Sequence, residues 1–153
     1  MPSIDNRPVV VDERSRIGDW EDDFLVSKKS KVCIKSTNER KSGVVFFGKA
    51  TDGKAKSGDA VLFKKLRNIP SEYVLTLTRD NGSENKDWKT VENTLGAQVF
   101  FAHPYHSWER GSNGNCNGLL RRFFPKGTDW AKITEEQIAR AEYFINTRPR
   151  KST

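Results

Sequence analysis

Apolar residues along the chain change their spacing several times, and each change marks an element. Trp20 to Val26 reads as a strand with acids set among its apolar positions. Ser27 to Ser30 is a turn, after which Val32 and Ile34 alternate with Lys31, Cys33 and Lys35 in a second strand. Gly43 to Lys49 (GVVFFGK) is β-branched and aromatic, a third strand. Thr51 to Ser57 is a polar loop, and Ser57 can cap a helix through Ile69 in which Leu62, Leu66 and Ile69 share a face. Tyr73 to Thr78 (YVLTLT) is a fourth strand, and Arg79-Asp80-Asn81-Gly82 turns the chain away from it. Trp88, Val91 and Leu95 recur at helical spacing, with Gly96 where that helix stops. Ala97 to Ala102 is a fifth strand and His103 to Ser112 a loop. A helix from about Asn113 buries Leu119 and Leu120. Thr134-Glu135-Glu136-Gln137 is a capping box that opens a last helix, with Ile138, Ala141 and Ile145 on one face and Arg148-Pro149 at its end.

The resulting order is βββ-α-β-α-β-α-α. Three strands with short connections predict an antiparallel meander. The fold class expected is α/β: a five-stranded mixed sheet with helices on both faces, an order that fits a ribonuclease-H-like domain. Residues 1–17 are polar apart from Val9-Val10-Val11 and read as an N-terminal arm; residues 18–153 form the domain. At 153 residues the chain suits a single core.

Composition narrows the partners. The net charge is +7 and the pI about 9.5, which favours a polyanion, because clustered Lys and Arg displace counterions from phosphates. Cys33 and Cys116 are far apart and form no CxxC, so they read as free thiols of a reducing compartment. His103, His106 and Cys116 are too few and wrongly spaced for a closed zinc site. There is no apolar run of membrane-spanning length and no signal-peptide core at the N-terminus, so the expectation is a soluble, cytoplasmic protein with no membrane partner.

Carboxylates at strand ends are the candidate chemistry. Asp80 follows YVLTLT directly, and the first strand carries Asp19, Glu21, Asp22 and Asp23. Alternation sends Glu21 and Asp23 to one face, and Asp22 to the other with Trp20 and Phe24. Acids converging from rigid strand ends can hold hard divalent ions, and two such ions about 4 Å apart can activate a nucleophile and stabilise a leaving oxygen at a phosphodiester. Phe123 and Phe124 read as core, and Lys28, Lys29, Lys31 and Lys35 as protection of a sheet edge.

Five segments then resemble the insertion sequence thirty family of transposases, in order and over about residues 7–151. Gly18 to Asp23 (GDWEDD) is similar to the family's GDWEGD. Leu77 to Glu84 (LTRDNGSE) is similar to LTxDNGxE, and Ala102 to Gly111 (AHPYHSWERG) to AxPYxxWxRG. Asn117 to Asp129 carries NGLLRxxFPKGTD, and Asn146 to Lys151 is NTRPRK.

The resemblance implies an integrase-like DDE catalytic core that cleaves DNA and transfers strands with Mg²⁺ or Mn²⁺, two ions in an intact site. It implies Asp23 as the first acid and Asp80 as the second. The third, a Glu in this family, falls in register on Gly114: residues 81–113, 33 positions, separate it from Asp80. Glu109 lies in the preceding loop, at a place that varies in the family, and reads as surface. The expected partner is DNA, both transposon ends and target, with Tyr105 and Trp108 stacking on bases and Arg110, Arg121, Arg122 and Lys126 gripping phosphates. A homodimer or higher multimer is also implied. Loss of the third acid predicts impaired catalysis, and leaves a non-catalytic DNA-binding or assembly domain as the alternative.

Overall fold

The computed structural model describes residues 2–80, 87–103 and 112–148, with the side chains of 112–115 outside that set. Five strands form one sheet in the order β3-β2-β1-β4-β5. They are β1 (Asp19–Leu25), β2 (Cys33–Glu39), β3 (Val45–Ala50), β4 (Thr76–Arg79) and β5 (Gln98–Phe101). The first three pair antiparallel as a meander, and β4 and β5 run parallel to β1. This is the mixed sheet that the element order predicts.

Strand alternation divides the core in two. On one face, Leu25, Ile34, Val45 and Phe47 pack with Cys116 and Leu120 of α4 (Ser112–Phe123), Trp130, and Ile138, Ala141 and Ile145 of α5 (Glu135–Thr147). On the other, Trp20, Leu77, Val99 and Phe101 pack with Leu62 and Leu66 of α2 (Ala55–Leu66) and Val91 of α3 (Trp88–Leu95). The capping box forms as expected: Thr134 Oγ1 accepts from the Gln137 N–H, and Gln137 Oε1 from the Thr134 N–H. Gly96 ends α3 at φ +70°, where a side chain would be strained. Cys33 and Cys116 are buried free thiols. No helix among the described residues is long and apolar enough to cross a membrane.

Several elements depart from their sequence pattern. α2 starts at Ala55, ahead of Ser57, and Lys54 takes the N-cap position without a side-chain bond. Packing explains the shift: Gly58 sits against the Phe24 ring inside the helix, so tertiary contact overrides the capping signal. β4 starts at Thr76 because Ser71–Tyr73 forms a 3-10 turn after Pro70, in which the Tyr73 carbonyl accepts from Trp20 Nε1. Residues 2–16 are more than a polar lead. They contain a 3-10 turn at Ile4–Asn6 and α1 (Val9–Glu13), bury Val11, and bridge Ser3 to Phe101 beside β5. Of the two phenylalanines read as core, Phe124 packs edge-on to Trp130 at 5.8 Å, but Phe123 is 45% exposed. Cys116, Leu120 and Phe124 make the inward stripe at i, i+4 and i+8, which leaves Phe123 to the next stripe with Leu119.

Candidate active site

Asp23 lies near the C-terminal end of β1, and Asp80 directly follows β4. The two strands are neighbours in parallel register, with Asp19 opposite Thr76, Trp20 opposite Leu77 and Glu21 opposite Thr78. Continuing that register by two places sets Asp23 level with Asp80, on strands about 4.8 Å apart. Asp23 is half-buried and Asp80 exposed. Alternation puts Glu21 and Asp23 on the face covered by α4.

α4 reaches Asp23 through a side chain that sequence reasoning did not single out. Asn117 Nδ2 donates to Asp23 Oδ2 at 3.3 Å, and the other Asp23 oxygen accepts from the Phe24 N–H at 2.9 Å. Gly114 belongs to the first turn of the same helix, three residues before Asn117, and positions three apart share a helix side. Helical side chains lean toward the N-terminus, so a longer residue at 114 would leave α4 from the turn just before the contact with Asp23.

The remaining predicted site residues divide in three. Tyr105, Trp108 and Arg110, with Glu109, lie outside the described residues. Arg121 stacks its guanidinium over the Trp130 ring at 5.1 Å, a cation–π contact that ties it to packing. Arg122 and Lys126 are exposed, Arg122 being eight residues, or about 12 Å, along α4 from position 114.

The acids around Asp23 are held by cations. Asp19 takes Arg16 in a two-pronged pair at 2.9 Å and accepts the Thr76 hydroxyl at 2.8 Å. Glu21 pairs with Arg40 in the interior. Asp22, on the opposite face as alternation predicts, meets Lys35 at 2.7 Å and the guanidinium of Arg79, which also reaches Asp59 of α2 at 2.8 Å. Burial pushes the Asp22 carboxyl up, but Arg79 and Lys35 outweigh it and hold it far below the usual carboxylate range. Burial works against the Arg79 charge in turn, and Asp22 and Asp59 more than restore it. Lys35 is therefore no edge guard. β2 is an interior strand, and this lysine is buried.

Among the described residues no group of three or more His, Cys, Asp or Glu side chains could hold a metal ion. Beside Asp23 the face is polar and under-satisfied. Ser36 Oγ, opposite Asp23 in the ladder, both amide atoms of Asn38 and Asn117 Oδ1 are buried with no hydrogen-bond partner among the described residues.

No protein-family model matches the chain. Curated proteins do. The chain is 37% identical over 148 residues to the transposase for insertion sequence element IS4351 of Bacteroides fragilis, covering 97% of this chain and 45% of that protein. It is 34% identical over 149 residues to the transposase InsI for IS30A of Escherichia coli K12, covering 97% and 39%. Its homologues are insertion-sequence transposases. The chain spans less than half the length of these transposases. The catalytic core domain of BIV integrase superposes with a TM-score of 0.69 at 18% identity, over 88% of this chain and 87% of that domain. The fold is thus ribonuclease-H-like, of the integrase-core type, as the transposase resemblance implied.

Proposed function

We propose that this chain is the catalytic-core domain of a DNA transposase whose metal site lacks its third acid. The parallel register of β1 and β4 supports the reading, because its extension by two places would set Asp23 level with Asp80, while α4 touches Asp23 through Asn117. Hard carboxylate oxygens at a strand edge suit Mg²⁺ or Mn²⁺, which complete their shells with water. Asp23 and Asp80 would hold one such ion. When bound, it supplies charge to activate an attacking hydroxyl and to stabilise the leaving oxygen of a phosphodiester.

The chain's own groups position that chemistry. Asn117 donates to one oxygen of Asp23, and the ends of β1 and β4 offer a rigid base for the two acids. A second ion needs another carboxylate, and Gly114 has none to offer. In-line displacement then loses both positioning and charge stabilisation, leaving at most trace DNA cleavage and strand transfer. The partners of this reading are transposon ends and target DNA, bridged by a homodimer or larger multimer. Gly114 also favours a second reading, a DNA-binding or assembly domain that kept the fold without the chemistry.

Gly114→Glu separates the two. With supercoiled plasmid and Mn²⁺, the variant is expected to nick about a hundredfold faster than the parent, and Asp80→Asn in the same variant to remove the gain. A folded Gly114→Glu protein that binds DNA but nicks no faster would overturn the catalytic reading and leave the binding one.

A further inference from the structure

The far end of α4 and the outer side of α5 carry an aromatic cluster in open solvent. Tyr143 is 65% exposed, Phe144 55% and Phe123 45%. Phe123 and Phe144 stack at 6.3 Å and 21°, and Tyr143 meets Phe144 edge-on at 6.2 Å. An apolar surface of this kind on a polar, highly charged chain marks a binding surface.

The charge around it selects the occupant. Arg140 stands four residues before Phe144 on one α5 stripe, and Arg148, the C-cap just past the helix, donates to the Ile145 carbonyl. Arg122 stands next to Phe123 and, with Arg148, lines the groove between the two helices. Three arginines outnumber the one acid on this stripe, Glu136, four residues before Arg140. A two-fold contact between copies would set this patch against itself, arginine against arginine, which disfavours a second copy of the chain. Rings flanked by arginines instead match a strand with bare bases and phosphates: each base has a face to stack, and each guanidinium a phosphate to meet. A duplex hides its bases and would use only the arginines.

We propose that this α4/α5 patch binds single-stranded DNA, with bases stacked on Phe123, Tyr143 and Phe144 and phosphates on Arg122, Arg140 and Arg148. The inference rests on the DNA-processing reading above. Phe123 lies nine residues along α4 from position 114, about 14 Å. Nine residues make about two and a half turns, so Phe123 looks out from the side of α4 opposite position 114, and the patch is a surface apart from the acid edge.

Fluorescence anisotropy with a labelled oligothymidine and with a labelled duplex tests it. The double variant Phe123→Ala/Phe144→Ala is expected to weaken oligothymidine binding about tenfold or more and duplex binding less than about twofold. Arg122→Ala/Arg140→Ala should lower the salt dependence of oligothymidine binding by about one to two in log–log slope. Phe144→Trp keeps the stacking face, and its emission should be quenched by oligothymidine. Unchanged oligothymidine affinity in the folded alanine variant, or no quenching in the Phe144→Trp variant, overturns the proposal while duplex binding keeps the wider reading alive. A change in sedimentation alone would make the patch an interface between copies and overturn it as well. A parent chain that binds neither DNA form would sink both readings.

Discussion

Asp22 and Asp23 are consecutive in sequence and serve opposite faces of β1. Asp22 is sealed between β1, β2, β4 and α2, with Arg79, Lys35 and Asp59 closing a charge cluster around it. Asp23 is half-buried under α4, beside polar groups that lack partners among the described residues. A carboxylate locked to buried cations is committed to structure. One at the rim, oriented by an amide, stays within reach of a ligand. Adjacent acids therefore take unlike jobs because the pleat sends them to unlike surroundings.

The largest effect that sharpens this contrast comes from emptying the sealed side. Arg79→Leu leaves Asp22 and Asp59 facing each other in the interior with only Lys35 to compensate. Breaking a buried pair in this way costs about 3–5 kcal/mol. For a domain of this size the midpoint of thermal unfolding should fall by roughly 10 °C or more. Asp80→Asn, one residue later but exposed, should shift stability by no more than about 0.5 kcal/mol. Equal losses from both would show that the two faces are not distinct in the way described.

Acid titration reads the same contrast through a single group. The Asp22 carboxyl is held below its ordinary value by Arg79 and Lys35 despite burial, so its folded pKa lies under its unfolded one. Its contribution is complete above the unfolded value and is lost as pH falls toward the folded one. The parent chain should therefore lose stability steadily as pH drops below about 4. Asp22→Asn removes that component: the variant should be less stable at neutral pH and show a shallower acid slope. A slope parallel to the parent's in the Asp22→Asn variant, measured by urea unfolding across pH, would assign the acid sensitivity elsewhere.

How much of this was legible in sequence depends on how local the signal is. Alternation in β1, the glycine stop at Gly96 and the capping box at Thr134 are near-neighbour patterns, and each appears as read, whereas β2 runs on through Ser36 to Glu39, beyond the alternation of Lys31 to Lys35. Asp80 could be singled out because it directly follows a strand, whereas only the family resemblance picks Asp23 from the other acids of β1. Arg79 could not, since a cation before a turn normally reads as surface; only the pairing of β1 with β4 places it against Asp22. Lys35 was misjudged for the same reason, because its strand's interior position is a property of the whole sheet. Asn117 left one usable hint, its place three residues after Gly114 on a helix. Phe123 and Phe124 differ by one helical step, which composition cannot resolve.

The smallest effect compares two helix glycines, one over each face. Gly58 of α2 covers the sealed side, where an added Cβ would stand 2.3 Å from the Phe24 ring. Gly118 of α4 is exposed, and an added Cβ there would meet nothing within 4 Å. Both have the same intrinsic reason to favour alanine, which gains up to about 1 kcal/mol over glycine inside a helix. At Gly58 overpacking opposes that gain, typically by about 1–3 kcal/mol, because Phe24 is pinned on β1 and carries Lys35 over its ring at 4.5 Å. Gly58→Ala should therefore destabilise the fold and Gly118→Ala stabilise it modestly. Chemical denaturation measures both, and the opposite signs are the content of the prediction. If Gly118→Ala were as harmful as Gly58→Ala, α4 would have to press on a neighbour at that position, and the face around Asp23 would be as tightly closed as the one around Asp22.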